Sequence, residues 1–140
     1  MADDARSAAA APTAPAPGAT HIIDGKAIAA EIRGELAAEV ARLQADHGVT
    51  PGLAVVLVGN RPDSATYVRM KKKAAAECAF HSVDIGLPDD VTQEALEAAV
   101  DALNGDAAVH GILVQLPLPK HIDEAAVLKL IRVEKDADGN

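Results

Sequence analysis

Residues 53–58, Leu-Ala-Val-Val-Leu-Val, are six apolar positions with no polar alternation. That is the pattern of a strand buried on both faces under helices. Such strands are parallel and need helical crossovers, and the flanking sequence supplies them. Over residues 26–44, Ile28, Ile32, Leu36, Val40 and Leu43 recur at helical spacing with Glu31, Glu35, Glu39 and Arg42 between them. This predicts a long amphipathic helix ending near Gly48. Beyond the strand, Gly59, Asn60, Arg61, Pro62 and Asp63 break the run, and a second helix is predicted over 64–79. A second strand follows over 81–87, then a helix carrying Leu96, Val100 and Leu103, which Asp90 and Thr92 can cap and Asn104 and Gly105 end. The third strand is predicted over 111–116, and a short helix capped by Asp123 within 120–133. Ile22 and Ile23 suggest a short edge strand ahead of all of these.

Helices alternating with three strands predict a three-layer α/β/α sandwich on a small, mostly parallel sheet, wound by right-handed crossovers. No candidate fourth parallel strand is present, so one sheet edge is expected to be unfinished. Residues 1–20 are rich in Ala, Pro and Thr and lack large apolar side chains after Met1, which predicts a disordered tail and leaves 21–140 as one domain. Aromatic residues are 1% of the chain, a single Tyr67 and a single Phe80. The core is therefore aliphatic, and platforms for stacking nucleobases are nearly absent. A formal charge of -8 argues against a nucleic-acid surface. No run approaches the roughly 20 apolar residues of a membrane span, and no signal-peptide core follows the start. The single Cys78 excludes an intrachain disulfide and a cysteine-based zinc cluster. A cytoplasmic protein without membrane or nucleic-acid partners is expected.

Candidate chemistry gathers at one edge of the sheet. Tyr67 and Lys71 stand four residues apart and share a face of the helix that rises from the carboxyl end of the first strand. Open α/β sheets bind ligands at that edge. Gln115 lies near the carboxyl end of the third strand, where a buried amide must find a partner. If the two strands are neighbours, the three side chains converge. A lysine desolvated in such a cleft can approach neutrality and transfer protons, and an amide bonded to it would orient it. Tyr67 offers a ring and a hydroxyl donor to a flat substrate, and an acidic residue of the last turn could grip an amino-substituted heterocycle. Lys71, Lys72 and Lys73 are consecutive, so helical geometry turns them about 100° apart and leaves only Lys71 on the Tyr67 side. His21, His47, His81, His110 and His121 are scattered without ligand spacing, and no metal site is expected. The first strand is followed by Val-Gly-Asn-Arg-Pro rather than a G-x-G-x-x-G loop, so no dinucleotide site is expected from this chain alone.

Four segments occur in order: DGK at 24–26, VGNRPDSATYVRMKKK at 58–73, GILVQLPLP at 111–119 and KDADG at 135–139. Through them the chain, from about 23 to 139, resembles the bifunctional methylenetetrahydrofolate dehydrogenase/methenyltetrahydrofolate cyclohydrolases. The resemblance implies that Tyr67 is the substrate-side tyrosine, Lys71 the catalytic lysine, Gln115 its partner, and Asp138 the aspartate that holds the folate pterin. It further implies a tetrahydrofolate-binding catalytic domain over 21–140, incomplete at its C-terminal end. The NADP site is expected on a second, Rossmann domain absent from this chain, and the full-length enzyme is expected to be a homodimer. The implied chemistry is NADP-dependent oxidation of 5,10-methylenetetrahydrofolate, then hydrolysis of the methenyl product to 10-formyltetrahydrofolate, within one-carbon metabolism and purine biosynthesis. The chain alone is expected to lack the dehydrogenase half. Ala79, Phe80, Ala137 and Asn140 depart from the family's usual residues at positions that bear on packing. Two alternatives stay open: a non-catalytic folate-binding or assembly fragment, and a dehydrogenase-only relative.

Overall fold

The computed structural model describes residues 22–139, so the expected tail over 1–20 lies outside the described residues, as does Asn140. In chain order the elements are α1 (Gly25–His47), β1 (Gly52–Val58), α2 (Pro62–Glu77), β2 (His81–Leu87), α3 (Gln93–Gly105), β3 (Gly111–Val114), α4 (Glu124–Leu130) and a 3-10 turn (Val133–Lys135). The three strands form one sheet in the order β2-β1-β3 with both pairings parallel. β1 is central, as its unbroken apolar run predicts. Its residues alternate between two cores: Ala54, Val56 and Val58 face α3 and α4, while Val55 faces α2 beside Val68 and Leu113. Helices thus cover both faces of the sheet, with α1 packed outside against α2. The first crossover moves the chain from β1 to β2 and the second carries it back past β1 to β3. Crossovers of one hand running in opposite directions put α2 and α3 on opposite faces.

Local chemistry explains most boundaries. Asp24 caps α1 by accepting the Lys26 and Ala27 N–H groups at 3.1 and 3.0 Å, and Gly48 ends it at φ +65°. Thr92 alone caps α3, its hydroxyl accepting the Ala95 N–H at 3.2 Å, and Asp123 caps α4 through the Ala126 N–H at 3.0 Å. Gly52 opens β1 where a Cβ would lie 1.8 Å from the Ala108 carbonyl oxygen, so only glycine fits the approach. Its N–H donates to His110 Nδ1 at 2.9 Å.

Two expectations need correction. Ile22 and Ile23 form no strand; they are more than four-fifths exposed because no strand edge stands beside them and the α1 cap begins at once. β3 stops at Val114 rather than 116: the Gln115 N–H still donates to Val56 O at 2.9 Å, but the chain then leaves the ladder through a cis Leu116–Pro117 bond. The stripe of α1 is largely uncovered, since Val40 is buried while Ile28, Ile32 and Leu36 stand exposed. Beside β3, an isolated parallel bridge joins Ile112 to Asp136 and the Ala137 N–H donates to Ile112 O at 3.2 Å. The outer edge of β3 is therefore covered at that point, although no full fourth strand forms among the described residues.

Candidate active site

β1 and β3 are neighbours, and the chain leaves their carboxyl ends toward opposite faces of the sheet. That is the topological switch point at which open α/β sheets carry their ligands. Lys71, on the third turn of α2, reaches across this point and donates from Nζ to Gln115 Oε1 at 3.1 Å. Gln115 Nε2 in turn donates to Leu116 O at 2.9 Å. The reverse amide orientation would set NH2 against the ammonium and oxygen against a carbonyl, so this network permits one orientation. Both side chains are half-buried. The three lysines diverge as helix geometry requires: Lys72 pairs with Asp84 of β2 at 2.9 Å and Lys73 approaches Glu77 at 4.0 Å.

Tyr67 precedes Lys71 by one turn and is 59% exposed, with its ring open to solvent. Asp138 is also exposed, in the turn after the 3-10 segment. The isolated bridge of Ile112 to Asp136 lies two residues before it, and the chain bends at 137 and 138 rather than continuing along β3. Lys71 and Gln115 are thus in direct contact and Tyr67 shares their face. Asp138 makes no hydrogen bond or ion pair to any of them.

Neither the cleft past the strand ends nor the apolar groove along α2 is lined by Tyr67, Gln115 or Asp138. A cleft of about 450 Å³ opens at the carboxyl ends of β1 and β3, lined by Val58, Arg61, Asp89, Leu118, Lys120 and His121 among others. His121 Nε2–H donates to Val91 O at 2.8 Å. Arg61 forks onto Asp63 at 3.2 and 2.8 Å. That bond and the Ser64 N–H hold the Asp63 carboxyl down to about 2, and the same pairing raises Arg61. An almost wholly apolar groove of about 270 Å³ runs beneath the stem of Lys71, between Leu36, Leu53, Ala75, Cys78 and Phe80. Among the described residues, no group of three or more His, Cys, Asp or Glu is placed to hold a metal ion, and no helix is long and apolar enough to cross a membrane. Sequence reasoning missed Asn104 and Asp136. Asn104 is a buried polar residue on an otherwise apolar helix face, while Asp136 was visible only as part of a turn signal.

The chain is a doubly wound α/β domain with an amine and an amide joined at its switch point. Comparison makes the class specific. The model of the tetrahydrofolate dehydrogenase/cyclohydrolase catalytic domain matches residues 23–138, and the chain belongs to that family. It is 57% identical over 118 residues to bifunctional protein FolD 2 of Arabidopsis thaliana, covering 84% of this chain and 40% of that protein. A FolD of Rhodopseudomonas palustris is 58% identical over 119 residues, 85% of this chain and 40% of the relative. Among solved structures, the methylenetetrahydrofolate dehydrogenase-cyclohydrolase of Trypanosoma brucei, complexed with NADP cofactor and inhibitor, superposes with a TM-score of 0.82 at 53% identity, over 84% of this chain and 40% of that one. The chain therefore spans about two-fifths of the length of these relatives.

Proposed function

We propose that this chain supplies the folate-binding, hydrolytic side of a methylenetetrahydrofolate dehydrogenase/methenyltetrahydrofolate cyclohydrolase, a cytoplasmic enzyme acting on a small-molecule folate. The observation that carries the reading is the 3.1 Å bond from Lys71 Nζ to Gln115 Oε1 at the switch point of a member of this family. The substrate's methenyl bridge is a cationic, amidinium-like carbon open to water. Lys71 as a free amine accepts a proton from the attacking water to give a neutral hydroxyl adduct. Its charged form returns that proton to the ring nitrogen as the carbon–nitrogen bond breaks and the hydroxyl proton passes to solvent to leave the formyl C=O. Water is added across that bond and 10-formyltetrahydrofolate is released. Gln115 suits both halves of the cycle, because an amide oxygen accepts a hydrogen bond from an amine or an ammonium alike. The exposed ring of Tyr67 offers a flat apolar surface on the same face, and the Asp138 carboxylate is suited to paired N–H donors of a pterin.

The turn from β1 into α2 does not suit the pyrophosphate of a nicotinamide dinucleotide. The helix leaving β1 begins with Pro62, which has no N–H, and the Asp63 carboxylate already accepts the Ser64 N–H at 3.0 Å. An anion thus fills the donor end that a pyrophosphate would need. The NADP-dependent oxidation is accordingly assigned to residues other than those described, and a dimer of the full-length enzyme remains part of the same proposal. Two variants test the division of roles. Lys71→Ala lowers turnover by about 10²- to 10⁴-fold, the range of a lost acid–base group, with tetrahydrofolate binding nearly intact. Asp138→Ala weakens binding itself. Equal loss of binding in both, with no separate rate defect, would reject the assignment.

A further inference from the structure

The turn that carries Asp138 is fastened at points to which the proposed chemistry gives no role. Lys135 Nζ donates to the carbonyls of Leu103 at 3.1 Å and Asp106 at 2.7 Å, at the C-terminal end of α3. Each carbonyl also accepts a backbone N–H, from Asp106 at 3.3 Å and Val109 at 3.2 Å, and the negative end of the helix dipole favours a cation beside them. One residue from Leu103, the buried Asn104 donates from Nδ2 to Leu130 O at 2.9 Å and accepts the Arg132 N–H at 3.1 Å. Asp136 then turns its carboxylate inward, and Oδ1 accepts the N–H groups of Asp138 at 3.1 Å and Gly139 at 2.9 Å. This is an Asx-type turn. Between the two, Ala137 is tied to Ile112 of β3. The backbone of Asp138 is held from the α3 side and the β3 side, while its exposed carboxylate makes no hydrogen bond or ion pair with another described residue.

We propose that Lys135 and Asp136 are positioning residues for Asp138, fastening its turn to the end of α3 and the edge of β3 so that the carboxylate meets its ligand already ordered. The inference rests on the reading of Asp138 as the folate-binding aspartate. Ordering a loop before binding removes a cost that would otherwise be met on binding. Lys135 has two of its donors engaged by carbonyls, so it acts on the turn and not as a cation for substrate. Asp136 likewise directs its Oδ1 at the backbone that follows it.

The test is equilibrium binding of tetrahydrofolate to the full chain and its variants, with far-UV circular dichroism to monitor folding. Asp136→Ala weakens binding about tenfold, the scale of two net hydrogen bonds. Asp136→Asn, whose amide oxygen accepts the same two N–H groups, returns binding to within about threefold of the unmodified chain. Lys135→Met, which keeps the stem and removes the ammonium, makes the same comparison at a second residue and weakens binding similarly. The double variant Asp136→Ala/Asp138→Ala binds no worse than Asp138→Ala, because positioning has no value once the positioned group is gone. Additive losses, or Asp136→Asn as weak as Asp136→Ala, overturn the proposal. So does unaltered binding by Asp136→Ala beside a weakened Asp138→Ala, which leaves the folate reading standing. Unaltered binding by Asp138→Ala overturns that reading and the proposal with it.

Discussion

An amide beside Lys71 does something a carboxylate cannot. It accepts from the amine in either protonation state without trapping the proton by charge, so a lysine cycling between two states, as proposed, keeps one position. Gln115 was legible in the sequence as an anomaly, a polar side chain at the end of a buried apolar run, and Lys71 by its place beyond a strand tip. Their contact across 44 residues was not legible, because it depends on β1 and β3 being neighbours. Asp63 makes a separate residue-scale prediction. Its carboxyl is held at about 2 by the Arg61 hydrogen bond, against an ordinary 3.8. A lowered folded-state value means that the unfolded chain binds the proton more readily, so the contribution is present above 3.8 and disappears as the pH falls through about 2. Replacing Asp63 with Asn should flatten the acid limb of stability between those values, measured by urea unfolding at several pH values. An unchanged limb would remove Asp63 as a contributor.

Helix α1 shows what periodicity can and cannot say. The spacing of Ile28, Ile32, Leu36 and Val40 reports a face, and the helix forms as expected. What covers that face is a tertiary fact, and here only Val40 is buried. Val40→Ala should therefore cost about 1–2 kcal/mol, the scale of buried aliphatic truncation, while Ile32→Glu should stay within about 0.5 kcal/mol. Chemical denaturation of the two variants checks this; a larger loss from Ile32→Glu would mean that its side chain is covered in solution. Asn104 belongs to the same scale, since it joins α3 to the end of α4. Asn104→Ala leaves the Leu130 carbonyl and the Arg132 N–H without their partner and should cost about 3 kcal/mol. A loss below about 1 kcal/mol would show that water replaces it readily. Neither Asn104 nor the turn at Asp136 announced a partner in sequence. The Leu130 partner of Asn104 lies 26 residues away and the Ile112 partner of the Asp136 bridge 24, beyond the range of cap and turn rules, although the Asx turn of Asp136 is itself local.

For the whole molecule, one apolar run determines most of the plan. A strand buried on both faces must be central and parallel, and parallel neighbours reached by crossovers in opposite directions create a switch point at its carboxyl end. Lys71 and Gln115 meet there, Tyr67 stands one helical turn away, and the turn that carries Asp138 begins at the bridge between Asp136 and Ile112 of β3. The fold class was therefore predictable from spacing, whereas the assembly of the site required the strand order. In the proposed reaction Lys71 moves protons in hydrolysis without help from a nicotinamide. The direct measurement is the rate of 5,10-methenyltetrahydrofolate hydrolysis by this chain without NADP, beside Lys71→Ala and Lys71→Arg. Arginine keeps a cation able to donate to Gln115 but does not give up its proton. Turnover above the uncatalysed rate by the unmodified chain, lost in both variants, is the predicted result. Turnover that survives in Lys71→Arg, or equal rates in all three folded proteins, would contradict it.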